Sequence, residues 1–187
     1  MKNKIQKAVD AYRKHRHLKK ASDETGIPWQ TIYVYLKQAG EPVTGDKSFY
    51  GSPKDKLACL GEAIFSDLVP HATDKNLESY QPKVDFIVDG WLVDVKTAAP
   101  NRSGKYPSKR WAFCLKKQIH FADFFVLVAL TEEKNLEKLF LVPAELLEHK
   151  QTISIPVSLN SKWAAYSVEE DQLKEFFSEL PNKEKAA

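Results

Sequence analysis

The dipeptide Asp89-Gly90 constrains the fold of this chain more than any other feature of the sequence. Both residue types tolerate a positive φ angle, which the two-residue type I′ turn between antiparallel strands requires. Runs rich in β-branched and aromatic residues flank this dipeptide within residues 82–98. The pattern therefore predicts a β-hairpin centred on the dipeptide. The cross-strand pairs obtained by counting outward from the turn are Val88 with Trp91, Ile87 with Leu92, Phe86 with Val93 and Asp85 with Asp94.

The predicted register brings charged side chains together. Asp85 faces Asp94, and strand alternation places Lys96 on the same face as Asp94. Like charges directly opposite each other destabilise a ladder, so the pair indicates a bound cation or a carboxyl group with a perturbed pKa. Divalent cations such as Mg²⁺ prefer carboxylate oxygens. The alternative is a surface salt bridge on a solvated face of the sheet. The opposite face is apolar and is expected to pack on a core: it comprises Val84, Phe86, Val88, Trp91, Val93 and Val95.

Charge is distributed unevenly along the 187 residues. Residues 1–40 carry nine Lys and Arg against three Asp and Glu, whereas the remainder carries nineteen against twenty-two. A basic end of this kind is typical of a segment that contacts nucleic acid. A basic solvated face with no partner is the alternative interpretation.

Helical spacing in residues 4–15, 18–25 and 28–38 predicts short helices, with Gly26 ending the second of them. This arrangement resembles a helix-turn-helix DNA-binding unit, which would occupy residues 1–40. A structural or protein-binding helical bundle is the alternative. The residues of the third helix expected to contact double-stranded DNA are Trp29, Gln30, Thr31, Tyr33 and Lys37.

Residues 41–53 are rich in Gly, Pro, Ser and Asp and are predicted to be a linker to a second domain, residues 54–187. This domain alternates helical and strand patterns, including a continuous apolar run at 124–130, which predicts an α/β fold with a central mixed sheet flanked by helices. Its first helix places Glu62 at the edge of an apolar surface, where an unpaired charge is costly. Glu62 is therefore a candidate site residue, unless it reaches solvent or meets a lysine.

No acidic residue occurs between Thr97 and Ala122. Basic residues in such a stretch, next to an acidic pair, suit a polyanion whose phosphates they contact. The residues expected to do so are Arg102, Lys105, Lys109 and Arg110.

Glu62 on a leading helix, Asp85 on one strand and Asp94-Val95-Lys96 on the next resemble the PD-(D/E)xK nuclease superfamily. The resemblance covers residues 54–147 and implies a restriction-endonuclease-like core. By this resemblance Asp85, Asp94, the Val95 carbonyl and Glu62 would bind Mg²⁺, for which Mn²⁺ would substitute, and Lys96 would orient the attacking water. The sequence departs from the family pattern at Val84, where a proline is frequent, and at Asp94, which is shorter than the frequent glutamate. Auxiliary groups would be Lys116 and Gln118.

These features together predict a metal-dependent DNA endonuclease that hydrolyses phosphodiester bonds, with the helical domain docking DNA and contributing to site choice. Cutting both strands at a symmetric site needs two active centres, so a homodimer or higher homo-oligomer is expected. A junction resolvase acting on branched DNA is a close variant, and an RNA or single-stranded substrate is not excluded. A non-catalytic DNA-binding regulator, whose sheet domain only dimerises, is an alternative from another class.

A cytoplasmic protein without membrane association is expected. No apolar run approaches the roughly 20 residues of a membrane span, and the first ten residues lack the apolar region of a signal peptide. Cys59 and Cys114 lie among apolar residues and are predicted to be buried thiols in a reducing compartment.

Overall fold

A computed structural model of the chain describes residues 2–78, 82–102, 108–115, 121–147 and 149–183. Across these residues the chain divides into two compact units. Unit 1 comprises Met1–Lys56 with Lys75–Pro82, and unit 2 comprises Leu57–Asp74 with Lys83–Ala187.

Unit 1 is helical, and its first helices occupy the predicted positions. They bury small and aliphatic side chains against one another, including Ala8, Ala21, Ile32 and Leu36. The left-handed conformation of Gly26, with φ of +70°, ends the second helix as predicted. The helices are α1 (Lys2–His15), α2 (Leu18–Thr25), α3 (Trp29–Gln38) and α4 (Lys47–Tyr50).

The segment predicted to be a linker belongs to unit 1 and is structured. Asp46 accepts a hydrogen bond from the Phe49 amide at 3.0 Å, which caps the single turn of α4. The Asp46 amide donates to the Arg16 carbonyl at 2.8 Å, which holds the segment to the end of α1. The predicted domain boundary at residue 53 also differs from the structure, in which the division falls at Lys56 and Leu57, within the next helix, α5 (Pro53–Leu68).

Unit 2 is built on a mixed sheet, so the predicted α/β class is confirmed. The strands of unit 2 are β1 (Thr73–Asp74), β2 (Phe86–Val88), β3 (Trp91–Ala98), β4 (Arg110–Cys114), β5 (Phe124–Leu130), β6 (Leu136–Pro143), β7 (Thr152–Pro156) and β8 (Ser167–Val168). Within the described residues the main sheet has six strands in the order β1-β2-β3-β5-β6-β8, with β3 parallel to β5 and the other neighbours antiparallel. A separate antiparallel pair, β4 with β7, forms a small second sheet.

Both faces of the main sheet are covered. Helix α5 and helix α6 (Glu170–Glu179) lie on one face, where Phe65 and Phe177 pack against strand residues such as Val93. The small β4–β7 sheet covers the other face with Trp111, Phe113 and Ile155. Strand β5 lies between these layers, and its residues from Phe125 to Leu130 are buried, as its apolar run predicts.

Helix α5 approaches β3 unusually closely at Gly61. A Cβ atom on Gly61 would lie 1.8 Å from Thr97 Oγ1, far inside van der Waals contact. Only glycine therefore fits at this position unless Thr97 moves. Among the described residues, Thr97 Oγ1 is one of the buried side-chain atoms that has no hydrogen-bond partner.

After α6, residues Pro181–Lys183 are attached to the β2–β3 turn. The Lys183 amide donates to the Asp89 carbonyl at 2.9 Å, and the Trp91 indole N–H donates to the Pro181 carbonyl at 2.8 Å. The Lys183 ammonium lies 2.6 Å from both carboxylate oxygens of Asp123. These contacts fasten Pro181–Lys183 across the hairpin.

The prediction that both cysteines are buried is wrong for Cys114, which is exposed on β4, while Cys59 is half-buried. Cys114 alternates with buried residues on a strand of the small sheet, so its side chain points away from the core. None of the helices in the described ranges is long and apolar enough to cross a membrane.

Candidate functional site

The predicted hairpin positions the candidate site, and its register is confirmed for the residues of β2. Asp89 and Gly90 both have positive φ angles, +47° and +85°, as a type I′ turn requires. The observed pairs are Phe86 with Val93, Ile87 with Leu92 and Val88 with Trp91.

Asp94 lies inside the protein, which excludes a solvated sheet face at this position. It is 0% exposed, and on the neighbouring strand its register partner is the buried Phe125. The Lys96 ammonium contacts both carboxylate oxygens of Asp94, at 2.7 Å in the case of Oδ2. Lys96 itself keeps 19% of its side chain exposed, so the pair connects a buried carboxylate with the surface.

Asp85 immediately precedes β2 and is therefore not a ladder partner of Asp94. Its Oδ2 atom accepts a hydrogen bond from the Val95 amide at 2.9 Å. The chain bends before Asp85, so strict alternation does not extend to Val84. Val84 consequently packs with the β4–β7 side of the sheet and not, as predicted, on the face of Phe86.

The environment of Asp94 favours its protonated form. Burial raises the pKa of the Asp94 carboxyl to about 8, and the neighbouring Asp85 carboxyl, through its charge and a hydrogen bond between the two groups, adds to this rise. The Lys96 ammonium opposes the rise. In the absence of another cation, a proton thus partly compensates the two adjacent carboxyl groups.

Glu62 lies on α5, half-buried and next to the contact of Gly61 with Thr97. The structure does not assemble it with Asp85 and Asp94 into one cluster, because no group of three or more acidic, histidine or cysteine side chains able to hold a metal occurs among the described residues. Thr97 lies on the face of β3 that α5 covers, whereas Asp94 alternates to the opposite face.

The basic residues predicted to contact phosphates are placed differently from one another. Arg102 is exposed. Lys109 forms an exposed salt bridge with Glu132, which offsets part of the positive charge predicted for this segment. Arg110 donates through Nε to Ser154 Oγ at 2.8 Å across the β4–β7 pair. Three further candidates, Lys105, Lys116 and Gln118, lie outside the described residues.

The residues of α3 predicted to contact DNA face outward or lie at the edge of the buried side. Trp29 and Tyr33 are 43% and 42% exposed, which is a large fraction for aromatic side chains. Gln30 and Lys37 are exposed and Thr31 is half-buried, whereas Ile32 and Leu36 form the buried side.

Part of the α3 surface lines a groove of about 1010 Å³ within unit 1. The groove residues outside α3 could not be identified from the sequence, because residues 41–53 lack periodicity and no local pattern pairs them with residues 16–19. The one available signal was Asp46 ahead of Ser48 and Phe49, a helix-capping pattern. The residues missed in this way include Arg16, His17, Lys19, Lys47 and Tyr50.

No model of a protein family matches this chain, and no curated protein matches it in sequence.

Proposed function

We propose that the chain is a metal-dependent DNA endonuclease of the PD-(D/E)xK kind, with a helix-turn-helix unit in residues 1–40 that docks double-stranded DNA. The observation that carries this proposal is the buried Asp94 with Lys96 at its carboxylate and Asp85 beside it. Burial of such charged groups costs on the order of several kcal/mol per ion unless neighbouring charges and hydrogen bonds compensate for the lost hydration. Carboxyl groups with a strongly raised pKa cluster at functional sites, which is why this arrangement supports a catalytic role.

The donor set suits Mg²⁺. Two adjacent carboxyl groups provide the oxygen ligands that this cation prefers. The N–H and C=O groups of one strand residue point to the same edge, so the Val95 carbonyl is directed to the side from which Asp85 contacts the Val95 amide. Binding requires Lys96 to give up one of its two contacts with Asp94. Glu62, which is not clustered with the other acids, would act through a water molecule.

When bound, Mg²⁺ supplies positive charge for the phosphodiester and lowers the pKa of a water molecule. Asp85 and Asp94 hold the cation in this proposal. Lys96 orients the attacking water through its ammonium group, which also offsets the negative charge that develops on the phosphate. Arg102 and Lys109 contact the flanking phosphates. A homodimer places a second centre on the other strand.

Cleavage of plasmid and oligonucleotide substrates with Mg²⁺ or Mn²⁺ tests this function. We expect Asp94→Ala and Lys96→Ala each to lower the cleavage rate by about 10²–10³-fold, as removal of one electrostatic group from an active site does. Lys174→Ala on the exposed surface of α6 is the matched control and should cleave normally. Equal cleavage by all variants, or none by the wild-type protein on a wide substrate panel, would contradict the proposal. Branched and linear duplexes compared in parallel distinguish a junction resolvase.

A non-catalytic DNA-binding regulator is the second candidate, and a specific observation favours it. Lys96 contacts both oxygens of Asp94, and Asp85 is hydrogen-bonded to the Val95 amide, so the hairpin carboxyls have partners without a metal ion. This candidate predicts DNA binding that survives Asp85→Ala and no uptake of metal. Calorimetric titration with Mn²⁺ separates the two, because a carboxylate site should lose its binding heat in Asp85→Ala.

A further inference from the structure

The groove of unit 1 combines aromatic faces with basic side chains. Trp29 and Tyr33 are four residues apart on α3 and therefore lie on one side of that helix. His17 and Tyr50 come from other segments of the groove lining, with their ring centroids 4.6 Å apart. Flat surfaces thus line this space from separate elements of unit 1.

Positive charge accompanies these rings. Lys37 lies one further turn along the same side of α3, with its ammonium 5.7 Å from the centre of the Tyr33 ring. Arg16, Lys19 and Lys47 also line the groove. Aromatic faces with adjacent cations are the groups that bind bases by stacking and phosphates by charge.

The acidic residues of the groove lining are engaged by local partners. Asp46 accepts hydrogen bonds from Ser48 Oγ at 2.6 Å and from the Phe49 amide at 3.0 Å. Asp55 accepts from the Ser52 amide at 2.9 Å and from Ser52 Oγ at 2.7 Å. Glu78 forms a salt bridge with Lys75. The salt bridge offsets the charge of Glu78, and the hydrogen bonds hold the Asp46 and Asp55 carboxylates on their local donors without removing their charge.

The concave shape distinguishes single strands from duplexes. In a duplex the base faces are covered by stacking, so aromatic side chains in a groove reach them only where the bases are unstacked. The segment containing Val43, Gly45 and α4 borders the same groove as the Trp29–Tyr33 side of α3. This side of the helix is therefore part of a depression rather than a free ridge.

We infer that this groove binds unstacked nucleotides of a single-stranded nucleic acid, with bases on Trp29, Tyr33 and Tyr50 and phosphates at Lys19 and Lys37. The inference deepens the proposed function, and the role of the groove in substrate choice rests on that function. The nuclease would act on DNA that carries an unpaired strand, such as a branch or an overhang.

Binding of a labelled oligothymidylate of about 12 nucleotides to the full chain, in EDTA, tests the inference. We expect Tyr33→Ala to weaken binding about tenfold and Tyr33→Phe, which keeps the ring, to bind as the wild type does. Val34→Ala is the matched control, because Val34 is 48% exposed on the same helix without lining the groove. An abasic strand of equal length and charge should bind about tenfold more weakly than oligothymidylate, and an oligouridylate arm shows whether RNA is accepted as well.

Equal affinity of Tyr33→Ala and wild type for oligothymidylate, or equal affinity of the wild type for the abasic strand, would each overturn the inference. Lys174→Ala, at an exposed position on α6, should bind the oligonucleotide normally. If no form of the protein cleaves DNA but the dependence on Tyr33 remains, the proposed nuclease fails and the groove stands. If cleavage requires Asp94 but Tyr33→Ala binds single strands as tightly as the wild type, the inference about the groove fails and the proposed nuclease stands.

Discussion

The charged and aromatic groups on β3 and on α3 lie in opposite environments. Asp94 is 0% exposed in unit 2, enclosed between the main sheet and the β4–β7 layer. Trp29 and Tyr33 in unit 1 are more than two-fifths exposed. Burial of a charged group costs free energy and its exposure to solvent does not, so the buried carboxyl group on β3 needs an explanation whether or not it binds a ligand. On α3 the exposed aromatic and basic side chains do not by themselves favour a ligand, whereas the groove that they line does.

The largest effect that separates the regions is a pH dependence of stability that originates in unit 2. The folded Asp94 carboxyl has a pKa of about 8 against a model-peptide value of 3.8, so between these values the folded protein binds more protons than the unfolded chain. The free energy of unfolding of the metal-free protein should therefore fall by about 1.4 kcal/mol per pH unit as pH rises through this window. Urea denaturation at several pH values between about 5 and 8 measures it.

The signal in this experiment can be restricted to unit 2. In a Trp29→Phe background the remaining tryptophans, Trp91, Trp111 and Trp163, all belong to unit 2, so fluorescence follows that unit. Asp94→Asn, which cannot ionise, should remove the dependence, and Mn²⁺ should counteract it in the protein that retains Asp94. A slope that is unchanged in Asp94→Asn would show that another group is responsible.

Two glycines, one in each unit, allow the regions to be compared by the free energy of unfolding of their alanine variants. Gly61→Ala in unit 2 should lower the free energy of unfolding by about 3 kcal/mol, because the added methyl group collides with Thr97. Gly26→Ala in unit 1 meets nothing within 4 Å and should cost only about 1 kcal/mol, from its positive φ angle. Thermal denaturation of both variants compares them. Adding Thr97→Ala should restore part of the loss in Gly61→Ala and none in Gly26→Ala; an equal response would contradict the close contact.

The Thr97 hydroxyl provides a smaller test of burial. Its Oγ1 atom is buried without a hydrogen-bond partner in the described structure. Thr97→Val replaces the hydroxyl with a methyl group of similar size and should stabilise the protein by about 1 kcal/mol. Thr31→Val, at a half-buried position on α3, is the counterpart in unit 1 and should change stability less. A destabilised Thr97→Val would indicate either a water molecule bound at this hydroxyl or a clash of the added methyl group with Gly61.

The smallest expected effect is a change in the salt dependence of DNA affinity. In duplex-DNA binding measured at several salt concentrations, Lys37→Ala should reduce the slope of log affinity against log salt by about 1, because one phosphate contact is lost. Lys174→Ala, far along the chain on α6, should leave the slope unchanged. An unaltered slope in Lys37→Ala would remove this residue from the DNA-contacting set.

The sequence predicts the hairpin register well because a strand has a period of two and the Asp89-Gly90 turn sets the starting point. It predicts the buried β5 from a continuous apolar run and the exposed residues of α3 from helical periodicity, and both are local patterns. It does not predict the burial of Asp94, because the covering layer pairs residues 110–114 with residues 152–156, and no local pattern reveals that pairing. The Lys109–Glu132 salt bridge depends in the same way on residues distant in sequence.

Segments without periodicity account for the other differences. A single helical turn such as α4 buries too few residues to leave a helical pattern, so the groove it borders could be recognised only from the structure. Asp85 precedes its strand instead of belonging to it, which a register counted from the turn cannot reveal.

The attachment of Pro181–Lys183 to the β2–β3 turn has a consequence for biosynthesis. The Trp91 indole receives its partner only after residue 181 has left the ribosome, and the Asp89 carbonyl only after residue 183, about ninety residues after the turn itself has been made. During that interval the nascent hairpin must rely on its own ladder and on the apolar residues that have already emerged. A ribosome stalled before residue 181 would therefore carry a hairpin whose turn a protease could still reach.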